Sequence, residues 1–274
     1  KYLEEFLYYR YKLKDIALID IRSCFIIDFE LYLREKRRCS NNTVCIYIAP
    51  LKRMISIAQS NGWLDYNPFS SYHIPVQRKD REYLVMSEVE AIIDVVFTRR
   101  KKLYEFIRDL FIFSVFTGVS YVDLAYLTKE NLKKFDDGLW LCFKRHKTGV
   151  MCNIPLLKIP LDIITKYQNK NKTGALFPVA TYSTLSTGLK TIAKMCGIKK
   201  HLTWHTARHT FASEICLSNG VPIETISRIL GHTDIKTTQI YAKISTTIIY
   251  RDMVNLSRRN HTIFRHANFI GCLS

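Results

Sequence analysis

Along the first sixty positions apolar side chains recur every three or four residues, and Ser40-Asn41-Asn42-Thr43 stands as a helix start ahead of Val44, Tyr47, Ile48, Leu51 and Ile55. The segment is expected to be helical. Pro50 should interrupt and kink that run, because proline lacks the N–H the next turn uses. Asp65-Tyr66-Asn67-Pro68-Phe69 stops helix formation, and Ser70 to Glu82, with Pro75 and mixed charges, reads as connecting chain. A first domain over 1–75 and a linker over 76–83 follow.

Beyond the linker, Ser87 with Glu90 three residues later has the spacing of a capping box opening a helix toward Phe97. A strongly apolar helix is expected over Leu103 to Phe116. The alternation from Leu139 to Arg145, the Thr148-Gly149 turn and the run Met151 to Leu156 predict a β-hairpin with Lys147 at its tip. Three helical pieces follow. They cover Trp204 to Leu217, stopped by Asn219-Gly220, then Pro222 to Leu230, stopped by Gly231, then Asp234 to Ile240. The pattern is mainly α: a small helical domain, then a larger helical one with a short antiparallel sheet, over 84–259, and a tail over 260–274.

Composition narrows the partners. Hydrophobic residues make up 47% of the 274, too many for a disordered tail protein, and 41 Lys and Arg against 24 Asp and Glu give a net charge of +17. That surplus, spread along the chain, is the footprint of a polyanion binder, a property shared by nucleic-acid, membrane-surface and heparin-binding proteins. No apolar run reaches the ~18–20 residues that span a bilayer, and no signal-peptide pattern opens the chain. Eight single cysteines without a CxxC pair suggest neither a zinc ribbon nor a disulfide framework. A reducing, cytoplasmic setting is expected, with no membrane partner. The chain begins at Lys1 rather than Met, as it would if an upstream segment had been removed.

The densest chemistry lies in 37 positions: His205, Arg208 and His209, then Leu230-Gly231-His232, then Tyr241. Residues i and i+3 share a helix face, so His205 and Arg208 should point into one site. His205 and His209 at i, i+4 could also bind zinc, but no glutamate stands between them as on a metalloprotease helix.

In this order the residues resemble the tyrosine recombinase family, of the phage integrase type. That family carries HxxR, then LGH, then a nucleophilic tyrosine about nine residues on. The resemblance extends to Lys147-Thr148-Gly149 followed by Ile154-Pro155-Leu156, to Thr117-Gly118 and to the helical N-terminal module. It implies a SAM-like core-binding domain, a DNA breaking-rejoining domain, a segment from Ser245 that begins as a helix packing on a neighbouring protomer, and strand exchange by a homo-tetramer on two double-stranded DNA sites. Integration, excision or inversion of a mobile element is the implied biology, with accessory DNA-bending proteins as possible partners and the bacterial nucleoid as location.

The residue types suit phosphoryl transfer without metal or cofactor. Arg208 offers a two-pronged donor to the phosphate, and Tyr241 attacks if a base or positive field favours its phenolate. His205 is expected to assist that proton, His232 to donate to a phosphate oxygen, and Lys147 to protonate the leaving 5′-oxygen. One position departs from the family: its first arginine is replaced here by Ser120, while Asp123 keeps the acidic match. Arg145, two residues before Lys147, is the expected substitute, since strand alternation would put both on one face; Arg108 and Lys144 are the other candidates. In the N-terminal module Lys36, Arg37, Arg38, Asn41, Asn42, Thr43, Lys52 and Arg53 are the candidate DNA contacts, against the plainer reading of a solvated face. A monomeric type IB topoisomerase-like relaxase and a non-catalytic DNA-binding descendant are the alternatives.

Overall fold

The three- and four-residue periodicity of the N-terminal segment resolves into three helices, α1 (Tyr2–Tyr11), α2 (Ser23–Glu35) and α3 (Asn41–Ser60). The computed structural model describes residues 1–77, 82–167, 174–178, 181–241, 250, 253–256 and 258. Contacts divide the chain into two compact units, Lys1–Asp80 and Arg81–Ser274. In the first unit Phe6, Phe25, Phe29, Leu33, Val44, Ile48, Leu51 and Ile55 close one core, with the Phe6 ring 5.3 Å from Phe25 and edge-on to it.

α3 is one helix with Pro50 inside it. Ile48, Leu51 and Ile55 are all buried on one face, and their packing outweighs the single hydrogen bond that proline cannot donate.

The second unit is built around α5 (Lys101–Thr117), whose Ile107, Phe111, Phe113 and Val115 are wholly buried. Around it pack α4 (Met86–Asp94), α7 (Lys158–Tyr167), α8 (Tyr182–Met195) and α9 (Trp204–Thr210). α4 begins at Met86, ahead of the expected start at Ser87. The Glu88 carboxylate accepts the Val85 N–H at 2.9 Å and the Glu214 carboxylate accepts that of Met86 at 2.9 Å, so two glutamates cap the helix in place of a serine. α6 (Tyr121–Tyr126) leads into the sheet.

That sheet has three antiparallel strands, β1 (Leu132–Phe135), β2 (Gly138–Lys144) and β3 (Met151–Pro155), in the order β1-β2-β3. β1 was not expected. It is mostly exposed and carries Lys133 and Lys134, so it shows no in–out alternation to read. After α9 the chain stays helical but widens to π geometry over Phe211–Cys216 and tightens to a 3₁₀ turn over Leu217–Asn219. α10 (Ile223–Ile229) and α11 (Lys236–Gln239) complete the described fold apart from a short helical stretch near 253–256. The expectation for the tail over 260–274, and most of that for the segment from Ser245, falls outside the described residues. Among the described residues no helix is long and apolar enough to cross a membrane.

Candidate active site

α9 opens with a reciprocal cap: Thr203 Oγ1 accepts the Thr206 N–H at 3.2 Å, and Thr206 Oγ1 accepts that of Thr203 at 3.0 Å. This fixes the first turn and sends Arg208 inward, where it is only 5% exposed. Its Nη1 donates to the Gly118 carbonyl at 2.7 Å, and its Nη2 donates to the Leu230 carbonyl and to His232 Nε2, the latter at 3.1 Å. Both carbonyls end helices. Gly118 closes α5 at φ 68°, and a Cβ there would stand 2.6 Å from Phe211 Cδ1, so only glycine admits both the turn and the packing.

These acceptors satisfy the guanidinium without neutralising it. Burial, and then the nearby charge of Arg145, lower the Arg208 pKa to about 10, which leaves it cationic at neutral pH.

Arg145 arrives from the β2–β3 connection. Its Nη1 and the Thr148 hydroxyl both donate to the Gly231 carbonyl at 3.1 Å, fastening the connection to the end of α10. Asp123 holds the other side: Oδ1 accepts the His146 N–H at 2.8 Å, Oδ2 accepts the Ser120 hydroxyl at 2.6 Å, and Oδ2 lies 3.9 Å from Arg145 Nε. The Arg145 Nε is buried and has no hydrogen-bond partner. Gly231 adopts φ 61°, and a Cβ on it would stand 2.5 Å from Cys152 Sγ and 3.1 Å from Arg145 Cδ.

Strand alternation does not put Arg145 and Lys147 on one face, because β2 ends at Lys144 and both residues lie in the connecting turn. Arg145 points inward with its side chain 11% exposed, whereas Lys147 is exposed at the tip. Both still act on one imidazole: the His232 pKa falls to about 4, first through burial and then through Arg208, Arg145 and Lys147. Arg108 is engaged elsewhere, with Asp109 at 3.0 Å and the Ile93 carbonyl at 3.2 Å, and Lys144 is exposed at the strand end.

His232 follows the left-handed turn at Gly231, and its Nδ1 lies 2.7 Å from Thr238 Oγ1. The Tyr241 ring lies nearly parallel to the His232 ring at 6.4 Å and edge-on to the buried His209 ring at 4.9 Å. The Tyr241 phenol is also in electrostatic reach of Arg208, whose cationic form an ionised phenol would favour. The structure therefore brings Arg208, Arg145, His232 and Tyr241 together, with Lys147 in electrostatic reach. His205 keeps its i, i+3 relation to Arg208 but is exposed where Arg208 is buried. Nothing in the sequence indicated that the Thr148 and Thr238 hydroxyls and the Gly231 carbonyl would bond at the site, because hydroxyls and backbone oxygens carry no sequence signal for such roles.

A profile described as the Phage integrase family matches residues 82–247, and one described as the Phage integrase SAM-like domain matches residues 1–74. The chain belongs to the phage integrase family of tyrosine recombinases. Among its relatives, a tyrosine recombinase of Pseudothermotoga lettingae is 25% identical over 240 residues, covering 84% of this chain and 80% of that protein. The tyrosine recombinase XerD of Listeria monocytogenes is 26% identical over 237 residues, covering 80% and 77%. The fold matches the Tn1549 transposon integrase in complex with circular intermediate DNA, at a TM-score of 0.69 and 18% identity, over 90% of this chain and 89% of that one. It also matches the XerH recombinase bound to difH substrate, at a TM-score of 0.69 and 17% identity, over 92% and 76%.

In this tyrosine recombinase the candidate DNA contacts of the first unit divide in two. Arg37 donates to Tyr32 Oη at 3.0 Å and pairs with Glu5, and Lys52 donates to the Tyr72 carbonyl at 2.5 Å. The Asn41 amide donates to the Pro75 carbonyl at 2.8 Å and its oxygen accepts from Arg34 at 2.7 Å. Asn42 exchanges bonds with the Gln77 backbone at 2.8 and 3.0 Å, and Thr43 shares a hydroxyl contact with Ser40 at 2.9 Å. Lys36, Arg38 and Arg53 are exposed, with Lys36 above the Tyr9 ring.

Proposed function

We propose that this recombinase performs site-specific strand exchange through a 3′-phosphotyrosine at Tyr241, with Arg145 acting in place of the family's first arginine. The carrying observation is a pair of guanidiniums, Arg208 buried and Arg145 partly so, held by uncharged carbonyls about His232, whose ring lies nearly parallel to that of Tyr241. Two like charges repel. The Asp123 carboxylate, 3.9 Å from one of them, offsets only part of that, so the pocket favours an anion. A scissile phosphate supplies two nonbridging oxygens for the N–H groups that the carbonyls leave open.

The reaction conserves bonds. The phenol oxygen of Tyr241 attacks phosphorus, a P–O bond to tyrosine forms, and the bond to the 5′-oxygen breaks. Tyr241 yields its proton to a base, for which His205 is the candidate, and the 5′-oxygen takes one from Lys147. Attack by the 5′-hydroxyl of a second strand reverses these steps, so resealing needs no nucleotide.

On this reading residues 1–75 form the core-binding domain and 84–259 the catalytic domain. Four copies act on two duplexes in the bacterial cytoplasm to integrate, excise or invert a mobile segment. In the first unit Lys36, Arg38 and Arg53 carry most of the phosphate contact, since Arg37, Asn41, Asn42 and Lys52 have polar partners within it. The test is incubation with a nicked candidate attachment site. A protease-sensitive covalent adduct is expected from the parent and none from Tyr241→Phe; an equal adduct yield from the variant would overturn the assignment.

A further inference from the structure

Thr238 is fully buried on α11 and touches both halves of the chemistry. Its Oγ1 lies 2.7 Å from His232 Nδ1, and its main-chain carbonyl accepts the Tyr241 N–H at 3.0 Å. The other ring nitrogen, Nε2, lies 3.1 Å from Arg208 Nη2. A guanidinium offers only donors, so Nε2 must accept. The proton of the neutral ring therefore sits on Nδ1 and is donated to Thr238 Oγ1.

A phosphate oxygen reverses that requirement. It is an acceptor, and once it has taken up the N–H groups of Arg208, His232 can bond to it only through an Nε2–H. Two routes lead there. One adds a proton to give the imidazolium, which burial and the charges of Arg208, Arg145 and Lys147 oppose. The other moves the ring proton from Nδ1 to Nε2 through solvent, with no net uptake, and leaves Nδ1 needing a donor. A hydroxyl both donates and accepts, and Thr238 is already in place for either role.

We propose that Thr238 is a positioning residue whose hydroxyl reverses its hydrogen bond to His232, holding Nε2 as an acceptor toward Arg208 in the free protein and as a donor toward phosphate in the DNA complex. The second half rests on the recombinase reading; the first is a property of the free chain. Thr238→Val keeps the shape and removes the hydroxyl, whereas Thr238→Ser keeps it.

The experiment reads the ¹⁵N shifts of the His232 ring in the full chain, alone and on a nicked duplex in the Tyr241→Phe background, alongside single-turnover cleavage by otherwise unaltered protein. Protonated Nδ1 is expected without DNA and protonated Nε2 with it. Thr238→Val should lose the single-tautomer signature and cleave about ten- to a hundredfold more slowly at DNA affinity within about threefold of the parent, with Thr238→Ser restoring the rate. One tautomer throughout in a protein that cleaves, or Thr238→Val cleaving at the parental rate, overturns the switch. A parent that forms no adduct sinks the recombinase reading instead, while the free-state tautomer stays measurable. Should Thr238→Val fail to fold, the ring shifts of the unaltered chain still decide.

Discussion

Three arginines of the first unit and the two of the candidate active site have different nearest partners. In the first, Arg34 donates to the Glu30 carboxylate at 2.7 Å, Arg37 pairs with Glu5, and Arg10 lies 3.3 Å from Asp28. At the candidate active site, Arg208 is bound by the Gly118 and Leu230 carbonyls and Arg145 by that of Gly231, with the Asp123 carboxylate no nearer to Arg145 than 3.9 Å. A carboxylate cancels the charge it binds, so those arginines act as struts and present little field to solvent. A carbonyl satisfies the N–H and leaves the charge, and burial then strengthens its pull on an incoming anion. The partner, more than the arginine, separates a structural guanidinium from one kept for a phosphate.

The sharpest way to break that contrast is to weaken the carbonyl-held side. Arg208→Lys preserves charge but loses the two-pronged geometry, and single-turnover cleavage should fall about 10²- to 10³-fold, whereas Arg34→Lys should leave the rate within about twofold. A smaller effect is expected from Gly231→Ala. A methyl at that left-handed position meets Cys152 and Arg145 and shifts the carbonyl that fastens the turn, so the melting temperature should drop by a few degrees and cleavage slow about tenfold.

Salt dependence sharpens the comparison within the first unit. Removing Lys36, Arg38 or Arg53 singly should reduce the slope of log K against log salt by up to about 0.9 each, while Arg37→Ala should leave it nearly unchanged because Glu5 already takes that charge. The smallest effect concerns pH. His232 has a folded pKa of about 4 against an ordinary value of 6.5, so the unfolded chain binds more protons between them. Stability from this group is complete above pH 6.5 and lost as pH falls toward about 4, and His232→Asn should flatten that part of a melting-temperature profile.

Much of this was legible from the sequence because periodicity and spacing report strong local constraints. The Ser40 start and helical spacing of α3, the apolar run of α5, and the Asn219-Gly220 and Gly231 stops of the helical pieces before Tyr241 are all local signals. The fixed interval from Gly231-His232 to Tyr241 likewise reflects one short helix. What could not be read depends on partners distant in sequence. The start of α4 moved because Glu214 reaches back to Met86, and β1 escaped notice because its side chains face water. Arg145 enters the pocket for a different reason than alternation: Gly231, 86 residues away, supplies the acceptor that turns it inward. Asn41 and Asn42 looked available to phosphate, yet Pro75 and Gln77 fold back onto them.

The central claim is that Arg145 supplies the second phosphate-binding guanidinium that Ser120 cannot. Single-turnover adduct formation by Arg145→Ala on a nicked site, with DNA affinity measured in parallel, tests it most directly. A rate loss of about 10²-fold or more at affinity within about threefold of the parent is the predicted result. Adduct formation at the parental rate would contradict it.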